Sequence, residues 1–218
     1  MDKNLKHFKL LELFNNIILQ GRIDDDWHVT IFNMIPKSGD LQNPANWRPI
    51  AILPILYKIF PRMIYHRLHP ILDRHQSNDQ FGFRPACRID DAFIVLENMI
   101  GKSIEFNTPL WMASIDLRKA FDRIQYGPLF KAIRGQGISD SYIALLTELY
   151  RDQWGHVRGG SYFQIQRGVK QGDVISPMLF NAGLEMAIRS WKKRLTNHWI
   201  WLSDQLLRLT NTRYADAI

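Results

Sequence analysis

Apolar positions along this chain follow two periods, one near 3.6 residues and one near 2, and the two kinds of segment alternate irregularly. Leu5 to Leu19 has helical spacing and stops before Gly21, a residue suited to a helix C-terminus. Trp27 to Ile35 is apolar on both faces, as a buried strand would be, and runs into the polar turn Pro36-Lys37-Ser38-Gly39-Asp40. Ile55 to Leu72 predicts a long helix with Pro61 inside it, which costs on the order of 3 kcal/mol or forces a kink. A helix is expected over Asp90 to Ile100, then a strand over Leu110 to Leu117 that ends on Asp116. Pro128 to Arg134 and Ser139 to Tyr150 predict helices, the second with Ser139 or Asp140 at its N-cap. Gly159-Gly160 predicts a hairpin turn between His156–Arg158 and Tyr162–Gln166. Ser176-Pro177 opens a helix to about Trp191, with the serine as cap and the proline at the first helical position. Leu206 to Thr210 and Arg213 to Ile218 predict a closing hairpin. The absence of a regular βαβ rhythm makes the expected class α+β.

Composition narrows the chemistry. With 218 residues, 46% of them hydrophobic, the chain can bury a core as one large domain or two small ones. Its net charge of +7 favours polyanionic partners such as nucleic acid. The single cysteine, Cys87, excludes an internal disulfide and a Cys-rich zinc site, and points to a reducing compartment. The opening MDKNLKHFKLL scatters charge where a signal peptide would be apolar, and the apolar runs are far short of a membrane span. A soluble, intracellular protein that avoids membranes is expected.

Two aspartates stand out. Asp116 ends one apolar strand and Asp216 lies within a second, Tyr214-Ala215-Asp216. Each alone reads as a turn-capping carboxylate; together they read as hard oxygen ligands that converge on a divalent ion. Asp122 is off that register and reads as a local cap or salt-bridge partner. Between them, Gln171-Gly172-Asp173 precedes a helix: the glycine permits close backbone approach, and the glutamine offers both donor and acceptor to a nucleotide. Lys37 and Arg48 are candidate phosphate ligands, one a point charge and the other a bidentate fork. Lys192-Lys193-Arg194 reads as a solvated helix end.

Five ordered segments resemble the motifs of a known family: IPKSGDLQNPANWRPI, QFGFRP (Gln80 to Pro85), SIDLRKAFD (Ser114 to Asp122), RGVKQGDVISPMLFN (Arg167 to Asn181) and RYAD. Their order is that of reverse transcriptases, and the long spacing between Gly39-Asp40 and Arg48-Pro49 resembles the non-LTR (LINE-type) retrotransposon enzymes. The resemblance implies a right-hand polymerase fold of fingers and partial palm with the thumb missing. Residues 1–218 would be one domain incomplete at its C-terminus, about 1–109 fingers-like and 110–218 palm-like. It implies RNA-directed synthesis of DNA, with an RNA template, a DNA primer and a dNTP as partners. Asp116 and Asp216 would bind two Mg²⁺ ions. Phe121 matches the aromatic gate against a ribonucleotide 2′-hydroxyl, and Gln171 and Gly172 the loop packed against the nucleotide. Lys37 and Arg48 match residues that grip the triphosphate; Gly82, Phe83 and Arg84 match a segment near the template, with Arg84 a candidate backbone contact. Ala217 departs from the family pattern, which carries a second aspartate there. The alternative is a catalytically inactive remnant that still binds nucleic acid.

Overall fold

The computed structural model describes residues 3–195, 200–201 and 208–218. Helix α1 (Lys3–Gln20) closes as its spacing predicts: Gly21 takes φ +64° and donates its N–H to Ile17 O at 2.9 Å. Trp27 falls in a 3₁₀ turn, Asp25–His28, capped by the Asp24 carboxylate. The strand predicted from Trp27 therefore starts later, as β1 (Val29–Pro36). It pairs antiparallel with β2 (Trp47–Ile52) and parallel with β3 (Gln153–Val157), which pairs antiparallel with β4 (Phe163–Ile165). The sheet order is β2-β1-β3-β4. Gly160 N donates to Val157 O at 2.8 Å in the expected β3–β4 turn.

Helix α2 (Ile55–Arg74) runs unbroken through Pro61 and Pro70. Pro61 is buried beside Phe60 and Ile64, so packing offsets the hydrogen bond it cannot donate. Helix α3 (Ile89–Glu105) buries Ala92 and Met99 but leaves Phe93, Ile94 and Ile104 in the open. A short α4 (Ala120–Arg123) leads to α5 (Tyr126–Gly135), α6 (Asp140–Tyr150) and α7 (Ser176–Lys192). Ser139 is the N-cap of α6, but its hydroxyl meets that of Ser141 rather than a helix N–H. Ser176 lies one residue inside α7, whose N-cap is Ile175.

Two predicted strands change. Leu110–Leu117 is not a continuous strand: its first residues find no ladder partner among the described residues, and Trp111 is 94% exposed. The closing hairpin is also different. Within the described residues, β6 (Arg208–Leu209) pairs with β5 (Ile200–Trp201), and Arg213–Ile218 forms a tight turn of its own. Leu206 and Leu207 lie outside the described residues.

The core gathers under α2. Phe14, Trp27, Tyr57 and Phe60 meet with ring centroids 5.3–5.7 Å apart, and Ile64, Leu68 and Leu72 join the same buried cluster, in which α2 packs on α7 and α7 on α5. Phe60 is wholly buried. Phe60→Ala is expected to lower unfolding stability by about 3–5 kcal/mol, read as a shift in the urea midpoint at unchanged slope.

Candidate active site

The segment around Asp116 and the turn at Arg213–Ile218 meet edge to edge. Ile115 and Ile218 exchange two backbone hydrogen bonds (2.8 and 2.9 Å), and Leu117 N donates to Asp216 O at 3.2 Å. Asp116 thus lies directly across from Ala217, with Asp216 one position on, at the tip of the turn. Tyr214 and Ala217 close that turn with bonds of 3.0 and 3.1 Å, and Ala215 takes φ +59°. An alanine holds such a left-handed backbone only when its surroundings impose it.

Gln80 imposes it. Wholly buried, its amide oxygen accepts from Ala215 N (3.2 Å) and Gly82 N (2.9 Å), and its nitrogen donates to Ala215 O (3.2 Å) and Asn181 Oδ1 (3.3 Å). Asn181, from α7, donates in turn to Gly82 O at 2.8 Å. A Cβ on Gly82 would stand 2.0 Å from Ala215 N, so the residue must be glycine for the two backbones to approach.

Beneath the turn lies a buried ion cluster. Arg213 is fully buried, and its Nη2 donates to Asp79 Oδ1 (2.7 Å) and Glu185 Oε2 (2.6 Å). Its backbone joins Asp79 O and Phe81 N. Lys192 pairs with Asp79; Ser77 Oγ and Arg189 Nε donate to Glu185 Oε1. Burial pushes the Glu185 carboxyl up, but the bonds from Ser77, Arg213 and Arg189 outweigh it and bring it down to about 2. Sequence reasoning missed this set. The available signal was Glu185 and Asn181 on the α7 face that also carries the buried Ile188, polar residues at apolar positions.

The Gln171 loop is stapled to the turn after Asp116. Val169 N donates to Phe121 O and Gly168 N to Ile124 O, each at 2.8 Å. The Gln171 side chain donates to Asp122 Oδ1 at 3.2 Å, which gives Asp122 a partner in the loop in place of the local cap or salt bridge expected of it. Ala51 N on β2 donates to Gln171 O at 2.9 Å. Gly172 takes φ +102°, with Ala51 O 3.3 Å from where its Cβ would be. Phe121 stacks on Phe180 (centroids 4.6 Å apart, 16° between planes) and meets Phe83 edge-on at 5.7 Å. Behind the loop a cleft of about 340 Å³ is lined by Phe32, Met34, Tyr126 and Phe163.

The remaining predicted residues lie on nearby elements. Lys37 follows β1, its N–H bonded to Asn46 O at 2.7 Å. Arg48 is exposed on β2 opposite Ile35, on the sheet face away from Met34 and Pro49. Arg84 turns inward: Nε and Nη2 reach Asp73 (2.8 and 3.4 Å), and Nη1 donates to Ser77 O and Gln80 O. Its bond to Asp73 raises its pKa further, against the opposing effect of burial. Among the described residues, no group of three or more His, Cys, Asp or Glu side chains gathers as a metal site.

These motifs recur in known proteins. Residues 35–218 match the model of the family described as reverse transcriptase (RNA-dependent DNA polymerase), and the chain belongs to that family. Among its relatives are polymerases of non-LTR retrotransposons. It is 34% identical over 176 residues to the retrovirus-related Pol polyprotein of the type-1 element R2 from Popillia japonica, covering 77% of this chain and 24% of the relative. Against the probable RNA-directed DNA polymerase of the X-element from Drosophila melanogaster, identity is 31%, over 77% of this chain and 19% of the relative. The chain thus spans about a quarter or less of these relatives' length. Telomerase from Candida albicans, solved with a fragment of telomeric RNA, superposes with a TM-score of 0.59 at 11% identity, over 94% of this chain and 40% of that one. The fold is of the right-hand polymerase class.

Two outcomes test the clamp. Gly82→Ala is expected to displace the 214–217 turn and destabilise the fold, seen as a lowered melting temperature; an unchanged melting temperature would contradict the close approach. Because the Glu185 carboxyl is depressed from its ordinary 4.5, its contribution is full above that pH and is lost as pH falls toward about 2. Glu185→Gln should flatten that part of the acid-unfolding curve.

Proposed function

We propose that the chain carries the nucleotidyl-transfer site of an RNA-directed DNA polymerase, residues 1–109 fingers-like and 110–218 palm-like. It would join a dNTP to the 3′-hydroxyl of a DNA primer on an RNA template. The observation that carries this reading is the hydrogen-bonded pairing of 115–117 with 216–218, which sets Asp116 and Asp216 on adjoining segments. Such a carboxylate pair fits Mg²⁺, which takes one or two protein oxygens and fills its other positions with water and phosphate. Asp116 and Asp216 would hold two ions. Bound there, Mg²⁺ would stabilise charge on the attacking and leaving oxygens.

The polypeptide does the rest. Phe121, gripped between Phe180 and Phe83, presents a rigid flat wall that a 2′-hydroxyl would strike. Gln171 is oriented by Asp122, so its free amide valences face the nucleotide without a search through rotamers. Gly172 lets that nucleotide lie against backbone. Lys37 and Arg48, on one hairpin, neutralise the triphosphate. Arg84, with its donors spent on Asp73 and two carbonyls, would serve the template by holding the Gly82–Phe83 segment in place. The net charge of +7 suits a nucleic-acid partner.

Ala217 favours a second reading, a remnant that binds nucleic acid without catalysis, because the position across from Asp116 carries no carboxylate. The two separate in one experiment. The Ala217→Asp chain, joined to the sequence that follows this region in the R2 relative, should extend a DNA primer on RNA in Mg²⁺, and Asp116→Ala should abolish extension. Phe121→Val in that background should raise ribonucleotide incorporation. Salt-sensitive binding of RNA–DNA hybrid with no extension leaves only the remnant; binding indifferent to salt removes both.

A further inference from the structure

The two faces of the four-stranded sheet differ in character. On one, Phe32 and Phe163 stack across Gly155, with ring centroids 5.9 Å apart and 17° between planes. A Cβ on Gly155 would stand 2.6 Å from the Phe32 ring, so glycine lets the two rings meet and fixes β3 between its neighbours. The pairing register defines the other face. It carries Arg48 of β2, Ile31 and Ile35 of β1, and Trp154 and His156 of β3. Tyr162, at the start of β4, joins them with its ring 4.6 Å from that of His156. Trp154 is two residues, about 7 Å, from His156 along the strand. Three rings thus stand in a row on this face, with Trp154 42% exposed and Tyr162 61%.

The chemistry of the face selects a ligand that is flat and anionic. Exposed rings on a four-stranded sheet offer π-faces on which unpaired bases stack. The strands β1 to β4 contain no Asp or Glu. Arg48 and Arg158, which follows β3, are exposed, and neither makes an ion pair among the described residues. Apolar rings bordered by unpaired cations on a fixed backbone suit a single-stranded nucleic acid, with bases on the rings and phosphates at the arginines.

The same face reaches the candidate active site. Arg48, the proposed triphosphate ligand, lies on it, and the bond from Ala51 N ties β2 to the Gln171 loop. Arg48 pairs with Ile35 and His156 with Ile31, four residues and roughly 13 Å apart along β1. A strand that leaves the nucleotide site over Arg48 would therefore meet the rings next.

We propose that Trp154, His156 and Tyr162 form a stacking platform for single-stranded RNA, which holds the uncopied 5′ stretch of a template beside the nucleotide site. The placement of that RNA ahead of the site rests on the polymerase reading; the stacking of unpaired bases rests on the sheet alone. Stacking makes the contact tolerant of sequence, and Arg158 makes it sensitive to salt.

The test measures binding of the chain to two labelled RNA–DNA hybrids by fluorescence anisotropy. One hybrid is blunt and the other carries an unpaired 5′ RNA stretch of about 8 nucleotides. The unsubstituted chain should prefer the second by about tenfold or more. Trp154→Ala with Tyr162→Ala should bind both alike at an unchanged melting temperature, and Trp154→Phe with Tyr162→Phe should keep the preference. Arg158→Ala should lower the salt slope for the overhang hybrid by about 1. Equal binding of the two hybrids by the unsubstituted chain overturns the proposal, as does a preference that survives loss of both rings. Dimerisation that Trp154→Ala abolishes, with the preference unmoved, overturns it in favour of an interface between copies. A ring-dependent preference, where the completed Ala217→Asp chain extends no primer, overturns the polymerase reading and leaves the platform standing.

Discussion

The acidic turn at 214–217 exists because Arg213 is buried between two carboxylates. An arginine with no solvent access needs its charge met on the spot, and Asp79 and Glu185 meet it from two separate parts of the chain. Removal of any one member would leave the others as uncompensated buried charge, a loss of about 3–5 kcal/mol, whereas the pairing itself adds less. The cluster thus contributes specificity more than stability. It selects the one arrangement in which the Asp79–Gly82 segment, α7 and the turn lie against each other, and the Gln80 amide then bonds the turn's backbone at Ala215 together with Gly82 N and the Asn181 side chain.

From that anchor the site assembles by backbone contact. The turn lends an edge to Ile115–Leu117, and Phe121 and Ile124 lend carbonyls to the Gly168–Val169 segment. The Gln171 loop lends a carbonyl to β2. Each link joins parts of the chain far apart in sequence. Side chains then refine what the backbone has placed: Asp122 orients Gln171, and two phenylalanines hold the Phe121 ring.

Much of this was legible in the residues. Helices with a clear apolar stripe, α1, α2, α5 and α6, were read within a few residues of their observed ends, because local periodicity governs them. The β3–β4 turn announced itself through Gly159-Gly160. The Leu110–Leu117 strand was overread, since β-branched and apolar letters show that a segment can pair but not whether a partner lies alongside. The closing hairpin failed for the same reason. Among site residues, Asp116, Asp216 and Gln171 stood out as chemistry in the wrong place for a core. Gln80 and Arg213 did not, because their role is to satisfy a backbone shape that no local pattern encodes.

One contact has a mechanical consequence. Ala51 N on β2 donates to Gln171 O, and β2 is the strand that carries Arg48, three residues away. Any tilt of the β1–β2 hairpin must drag the glutamine loop with it or break that bond. Hairpin and loop are thereby coupled, and neither segment travels far without the other.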